Sequence, residues 1–174
     1  PSFIETAKEI NNLLGLKINY RLANALRMPF NDSYFDIATM LHVGMNLFNK
    51  KKLFKEVSRV LVSRGCFAIY DIMIVGSGDF KYPVPWATTA NTSFVKEANY
   101  YRKIALSAGF ILLSEKNKKQ FALKFLKKFK ENYLRPDSLS LGSKLLMGEN
   151  YNMKLINLVK AIEIGHLAPV EMIF

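Results

Sequence analysis

A single cysteine stands among the 174 residues, so no internal disulfide can form, and the chain is expected in a reducing compartment such as the cytoplasm. That residue, Cys66, opens an apolar run, where a small buried hydrophobe is a simpler reading than a nucleophile or redox centre. Apolar runs fall far short of the roughly 20 residues a membrane span needs. No charged-then-apolar leader is visible. The chain opens on Pro1 with no methionine before it, which leads us to expect that it begins inside a longer one. There are two histidines, His42 and His166. Neither has a second histidine or a cysteine at ligand spacing, so no metal site is expected. Acids are scarce as well: 14 against 25 bases, for a net charge of +11. P-loop, G-x-S-x-G and G-x-G-x-x-G strings are all missing.

What is present is a chain half hydrophobic, long enough for one domain with a real core. The positive charge is local. Residues 116–135 hold eight bases (Lys116, Lys118, Lys119, Lys124, Lys127, Lys128, Lys130, Arg135) and one acid, Glu131. A basic surface confined to one segment weakens any whole-protein nucleic-acid reading.

Along the chain, Ser2 and Glu5 form a capping box for a helix over 2–14, with Gly15 ending it. Residues 16–22 alternate strictly and predict a half-exposed edge strand. Pro29 and Asn31-Asp32-Ser33 mark a loop. Residues 35–43 are nearly continuously apolar, as in a strand covered on both faces. A helix over 49–62, capped by Asn49 and stopped by Arg64-Gly65, leads to a second continuous strand over 66–75. Strand, helix, strand at this spacing predicts a parallel βαβ unit. Residues 76–94 are a long aromatic-bearing loop, whose Gly76-Ser77-Gly78 reads as flexible chain rather than an anion nest. A helix over 95–108, a short strand over 110–114 and a helix over 117–133 follow. In the last, Ala122, Phe125, Phe129 and Tyr133 face inward. Residues 136–142 read as a linker. A helix over 149–164 then carries the stripe Met153, Ile156, Val159 and Ile162, and a strand over 167–174 closes the chain. The fold class is α/β with a mainly parallel sheet.

In open α/β sheets, ligands sit beyond the carboxyl ends of the strands. That rule nominates Asn24 to Phe30, Leu41 to Asn46 and the chain from Asp71 onward as walls of one crevice. His42 is there either a structural residue or part of a pocket wall.

The string ALRMPFNDSYFDIATMLHVGMN, followed by LFKEVSRVLVSRGCFAIYDIM, resembles the class I S-adenosylmethionine-dependent methyltransferases. The similarity is to the group with the ubiquinone/menaquinone-biosynthesis and sarcosine/dimethylglycine N-methyltransferases. The matching positions are Asn24-Ala25, Pro29-Phe30, Phe35-Asp36 and the E-x-x-R-V-L run from Glu56 to Phe67. HVGMN, YPVPWA (Tyr82 to Ala87) and the stretch from Leu145 to Leu158 resemble the N-methyltransferase-like branch in particular. The resemblance implies a Rossmann-like sheet in which residues 1–174 are the C-terminal two-thirds of a single methyltransferase domain. The first strands and the glycine-rich loop of that domain are not in this sequence.

The same resemblance implies S-adenosylmethionine as cofactor, with Asn24, Ala25 and Leu26 at the adenine and Leu41 and His42 flanking it. Where that family has Asp, this chain has Asn24, which can still accept a hydrogen bond without the charge. Cys66 replaces a usual second glycine. Met45, Asn46, Tyr82 and Trp86 are expected on the acceptor side, where aromatic faces suit a cationic amine or sulfonium. His42 is the candidate general base by its pKa range. The implied acceptor is a small molecule, either an amine such as a glycine derivative or a quinone-like carbon or oxygen. Lacking the glycine-rich loop, the chain as it stands is expected to be inactive and to bind cofactor weakly. The competing expectation is a non-catalytic scaffold whose basic 116–135 helix meets a membrane or nucleic acid.

Overall fold

A computed structural model of the chain describes residues 2–133, 148 and 150–174. Helix α1 (Ser2–Leu13) is followed by extended chain, then strand β1 (Phe35–Leu41), α2 (Lys50–Val60), β2 (Leu61–Ile74), α3 (Ala98–Ser107), β3 (Ser114–Asn117), α4 (Lys119–Tyr133), α5 (Tyr151–Glu163) and β4 (Leu167–Ile173). The expected linker over 136–142 lies outside the described residues.

The four strands form one sheet in the order β1-β2-β4-β3. The β1–β2 pair is parallel, as the βαβ pattern requires. β4 returns antiparallel between β2 and β3 and pairs with both, so the sheet is mixed rather than mainly parallel. Sequence periodicity cannot sense this, because a buried antiparallel strand and a buried parallel one have the same apolar run.

α2 begins where Asn49 accepts the Lys52 N–H at 3.0 Å. It does not stop at Arg64-Gly65. It ends at Val60 and passes directly into β2, whose register against β1 slips between Phe35 and Ile37. Arg64, at φ 64°, and Gly65 fall in that irregularity. A Cβ on Gly65 would meet the backbone oxygens of Val62 and Asp36, so the glycine lets the two strands approach. Cys66, at its end, is half-buried rather than buried.

The main core lies on the sheet face covered by α2 and α3. Met40, Leu53, Phe54, Val57, Phe67, Ile69, Met73, Tyr101 and Ile104 pack there, and Phe54 sits at the centre of edge-to-face contacts with Phe67, Tyr101, Phe110 and Phe174. A smaller cluster on the opposite face joins Met45, Ile72, Val95, Ala161, Ile162 and Leu167.

Several expected faces came out differently. β1 is covered on one face only: Met40 is buried, while Ile37 is 63% and Leu41 62% exposed. α4 and α5 lie over β2 and β4 instead. Residues 16–22 form no strand; Asn11 holds Ile18 through two side-chain bonds, but no neighbouring strand is present among the described residues. β3 lies at 114–117 rather than 110–114, fixed by its pairing with β4. On α4, Ala122 is buried but Phe125 is exposed; the side chains of Phe129 and Tyr133 lie outside the described residues. On α5, Met153 and Ile156 are exposed, and the buried stripe is Tyr151, Asn157, Ala161 and Ile162.

Candidate functional site

The carboxyl ends of β1 and β2 carry the residues of interest. β1 ends at Leu41, and His42 then takes a left-handed backbone at φ 53°, a conformation uncommon for a residue with a side chain. Its N–H still donates to the Tyr70 carbonyl at 2.8 Å, so the turn is held to β2. The ring stands edge-on to Tyr70, centroids 5.2 Å apart. The residue as a whole is exposed, but partial desolvation holds the His42 pKa below its usual value, which favours the neutral imidazole at pH 7.

His42 lies on the wall of a cavity of about 300 Å³ between the sheet and the α4–α5 pair. Tyr70, Ile72 and Pro169 form its floor, and Phe121, Phe125, Leu126, Leu158 and Ile162 its other walls. A second cavity, of about 500 Å³, lies around Leu61 to Cys66 and Phe174, at the amino end of β2 and so away from the crevice that topology nominates.

Behind the β1 turn is a buried polar cluster: Asp71, expected on the crevice wall, is instead enclosed with Lys50 and Tyr101, which sequence alone does not connect to it. Asp71 in β2 and Lys50 at the start of α2 are both fully buried. Asp71 Oδ2 accepts the Tyr101 hydroxyl at 2.8 Å; its Oδ1 is buried and makes no hydrogen bond of good geometry among the described residues, though the Gly44 and Ile72 backbone N–H groups lie close to the carboxylate. Burial raises the Asp71 pKa to about 6, with the Tyr101 bond and the Lys50 charge acting in the opposite direction. Lys50 Nζ donates to the carbonyls of Leu47 and Phe94. Burial lowers its pKa to about 8, Asp71 partly restoring it and Lys96 lowering it further. Gly44, in the single 3-10 turn Gly44–Asn46 after His42, packs directly against this cluster. A Cβ there would collide with the Asp71 carboxylate and the Tyr101 hydroxyl. The cluster thus pins the turn that carries His42. An Asp inside an otherwise apolar strand (CFAIYDIMIV) was its one visible sequence signal.

A second clamp holds the 24–32 loop. Glu56 Oε1 accepts the Met28 N–H at 2.7 Å. Arg59 binds Glu56 at 2.6 Å and Asp32 at 2.7 Å, and donates to the Phe30 carbonyl at 2.8 Å and that of Met28 at 3.2 Å. The E-x-x-R spacing puts both side chains on one face of α2, and that face grips the Pro29-Phe30 segment.

Solved structures superpose on this fold over nearly the whole chain. A protein described as a sarcosine dimethylglycine methyltransferase, from Galdieria sulphuraria, superposes with a TM-score of 0.78 at 22% identity, over 100% of this chain and 66% of that one. Geranyl diphosphate C-methyltransferase from Streptomyces coelicolor gives 0.71 at 14% identity, over 98% of this chain and 57% of the other. The fold is that of the class I methyltransferases. Residues 1–69 match the family model described as "Methyltransferase domain". Among curated proteins, an uncharacterized protein of Haemophilus influenzae is 40% identical over 72 residues, 38% of this chain and 27% of that protein. A sterol 4-C-methyltransferase of Caenorhabditis elegans is 39% identical over 51 residues, 29% and 15% respectively. The chain therefore spans about a quarter or less of the curated relatives it matches.

On this methyltransferase fold the residues named from sequence fall into three groups. Asn24 closes an Asx turn: its Oδ1 accepts the Leu26 N–H at 2.9 Å and its carbonyl the Arg27 N–H at 2.9 Å. The side-chain oxygen expected to meet adenine is thus already engaged locally, and the side-chain NH₂ is the group left to reach outward. Ala25 and Leu26 pack on the edge of the main core. Leu41 and His42 stand at the end of β1, Leu41 largely exposed. The acceptor-side expectations split. Met45 is 2% exposed and belongs to the second core cluster, so its side chain packs the interior. Trp86 packs against that cluster and donates to Ser93 Oγ at 2.9 Å. Tyr82 leans on Phe80, 5.1 Å between centroids, and Asn46 is exposed. None of these four lines the cavity that His42 lines. The apolar residues of α4 and α5 that do line it resemble ordinary amphipathic stripes in sequence, which is why they were not singled out.

Proposed function

We propose that this chain forms the adenine side and the acceptor side of an S-adenosylmethionine-dependent methyltransferase acting on a small molecule. The observation that carries the reading is the His42-walled cavity at the carboxyl ends of β1 and β2. The residues present fit the adenosine end of the cofactor. Leu41 offers an exposed apolar side chain at the strand end, and the Asn24 turn offers an amide donor beside Ala25 and Leu26. When bound, the cofactor supplies an electrophilic methyl group on a sulfonium. The chain's own contribution is to orient the acceptor and exclude water from it. His42, its neutral form favoured at pH 7, is placed to take a proton from an acceptor O–H or N–H.

The test is an amide NMR titration of the chain with S-adenosylhomocysteine carried to millimolar concentration. Shifts at Ala25, Leu26 and His42 are expected. Shifts confined to other parts of the fold, or none, would refute the assignment.

A second reading concerns the basic helix. Lys116 and Lys118 bind Glu171 at 3.8 and 3.1 Å, and Lys119 Nζ donates to the Glu163 carbonyl at 2.8 Å, so these three serve the fold. Lys124, Lys127 and Lys128 are exposed beside Phe121 (62%) and Phe125 (58%). Exposed rings among lysines match an anionic lipid surface. Sedimentation with vesicles containing phosphatidylserine, but not with pure phosphatidylcholine vesicles, is the expected result, and equal sedimentation with both would remove this reading.

A further inference from the structure

The cavity that carries the proposed function also restricts what can occupy it. Its lining is carbon almost throughout: Ile72, Phe121, Ala122, Phe125, Leu126, Leu158, Ile162 and Pro169. Among the described residues, His42 and Tyr70 are the lining residues with polar side-chain atoms. Partial desolvation favours the neutral form of both, moving the His42 pKa down and the Tyr70 pKa up. The charge beside it is spent: Glu171, paired with Tyr70 across β2 and β4, is bridged by Lys118 and Lys116.

We infer that the methyl acceptor is a neutral, largely hydrocarbon molecule that fills the space between α4, α5 and the sheet and presents one polar atom to His42. This rests on the reading of the site as one for methyl transfer. A zwitterionic amino acid derivative would set its carboxylate and ammonium against carbon walls with no charged partner among the described lining residues, giving up hydration without compensation, which disfavours it. An apolar body with a single hydroxyl leaves nothing unpaired: the hydroxyl meets the imidazole, and the rest meets Phe121, Leu126 and Leu158. A volume near 300 Å³ sits at the lower end of small-molecule sites and suits a compact ring system or short isoprenoid. Phe121 and Phe125 on α4 are both lining and exposed, so they form the rim by which an apolar molecule enters.

The experiment uses 1-naphthol as a neutral apolar probe and dimethylglycine as a zwitterionic one, added separately to the chain labelled with ¹³C in its isoleucine and leucine methyls. Expected are saturable shifts at Ile72, Leu126, Leu158 and Ile162 with 1-naphthol, and none there with dimethylglycine at much higher concentration. Ala122→Phe, which fills the cavity from α4, should weaken 1-naphthol binding by about tenfold or more. If that variant loses its fold, Phe121→Ala, at an exposed rim position, should weaken it by about threefold. Three results would each overturn the inference: dimethylglycine moving these methyls in place of 1-naphthol, neither probe moving them, or 1-naphthol binding with equal strength to the filled or rimless variant. S-adenosylhomocysteine shifts at Ala25, Leu26 and His42 are read in a separate titration, so a wrong acceptor class and a wrong methyltransferase site give different patterns.

Discussion

Asp71 and Lys50 each add a limb to the pH dependence of stability, because both are fully buried and both have their charged forms disfavoured. For Asp71 the folded pKa, about 6, lies above the ordinary 3.8. Between those values the folded state holds more protons than the unfolded one, so stability falls as pH rises from about 4 to about 6. For Lys50 the folded pKa, about 8, lies below the ordinary 10.5. Across that interval the unfolded state holds more protons, so stability rises with pH. Between about 6 and 8 these two groups leave it flat. Each sloping limb is limited to about 1.4 kcal/mol per pH unit. Urea denaturation at a series of pH values checks this, and Asp71→Asn should remove the acid limb and, by taking away the charge that holds the Lys50 pKa up, make the alkaline limb begin at lower pH. An acid limb unchanged in that variant would assign it to another group.

At the scale of elements, local chemistry was legible and lateral placement was not. The capped start of α2 at Asn49, the turn at Asn31 to Ser33 and the parallel β1–β2 pair all follow from residues near one another in sequence. E-x-x-R was legible as part of a pattern, yet its work of gripping the Met28 and Phe30 backbone depends on a loop 28 to 31 residues away. The direction of β4 and the true inward faces of α4 and α5 are decided by which element lies opposite. On α4 the inward residue is Ala122, and the two phenylalanines near it flank a cavity. Apolar periodicity marks a helix as amphipathic, but a cavity wall and a packed core ask for the same side chains. The candidate site was therefore half visible. His42 stood out by chemical type, whereas its apolar neighbours differ from core residues only in facing empty space.

The sheet of the whole molecule ends on two edge strands, β1 and β3, each with one partner strand among the described residues. β3 is four residues long, whereas β1 runs for seven and leaves Ile37 and Leu41 exposed. Phe3, Leu13, Leu14, Leu16 and Leu22, in and just after α1, are exposed as well, from 45% to 84%. Of the groups proposed to meet the adenosine, Asn24 and Leu41 are exposed, so water competes for each hydrogen bond there; His42 is exposed too, on the wall it shares with Phe121 and Phe125. A ligand held on one face gains part of the contact free energy but still gives up its translational freedom. Cofactor affinity of the 174-residue chain should consequently be weaker than about 10 μM, equivalent to roughly −7 kcal/mol. Calorimetry with S-adenosylmethionine measures this directly. Binding tighter than that would mean that the residues of this chain enclose the cofactor by themselves, and that the open side of β1 contributes nothing to its site.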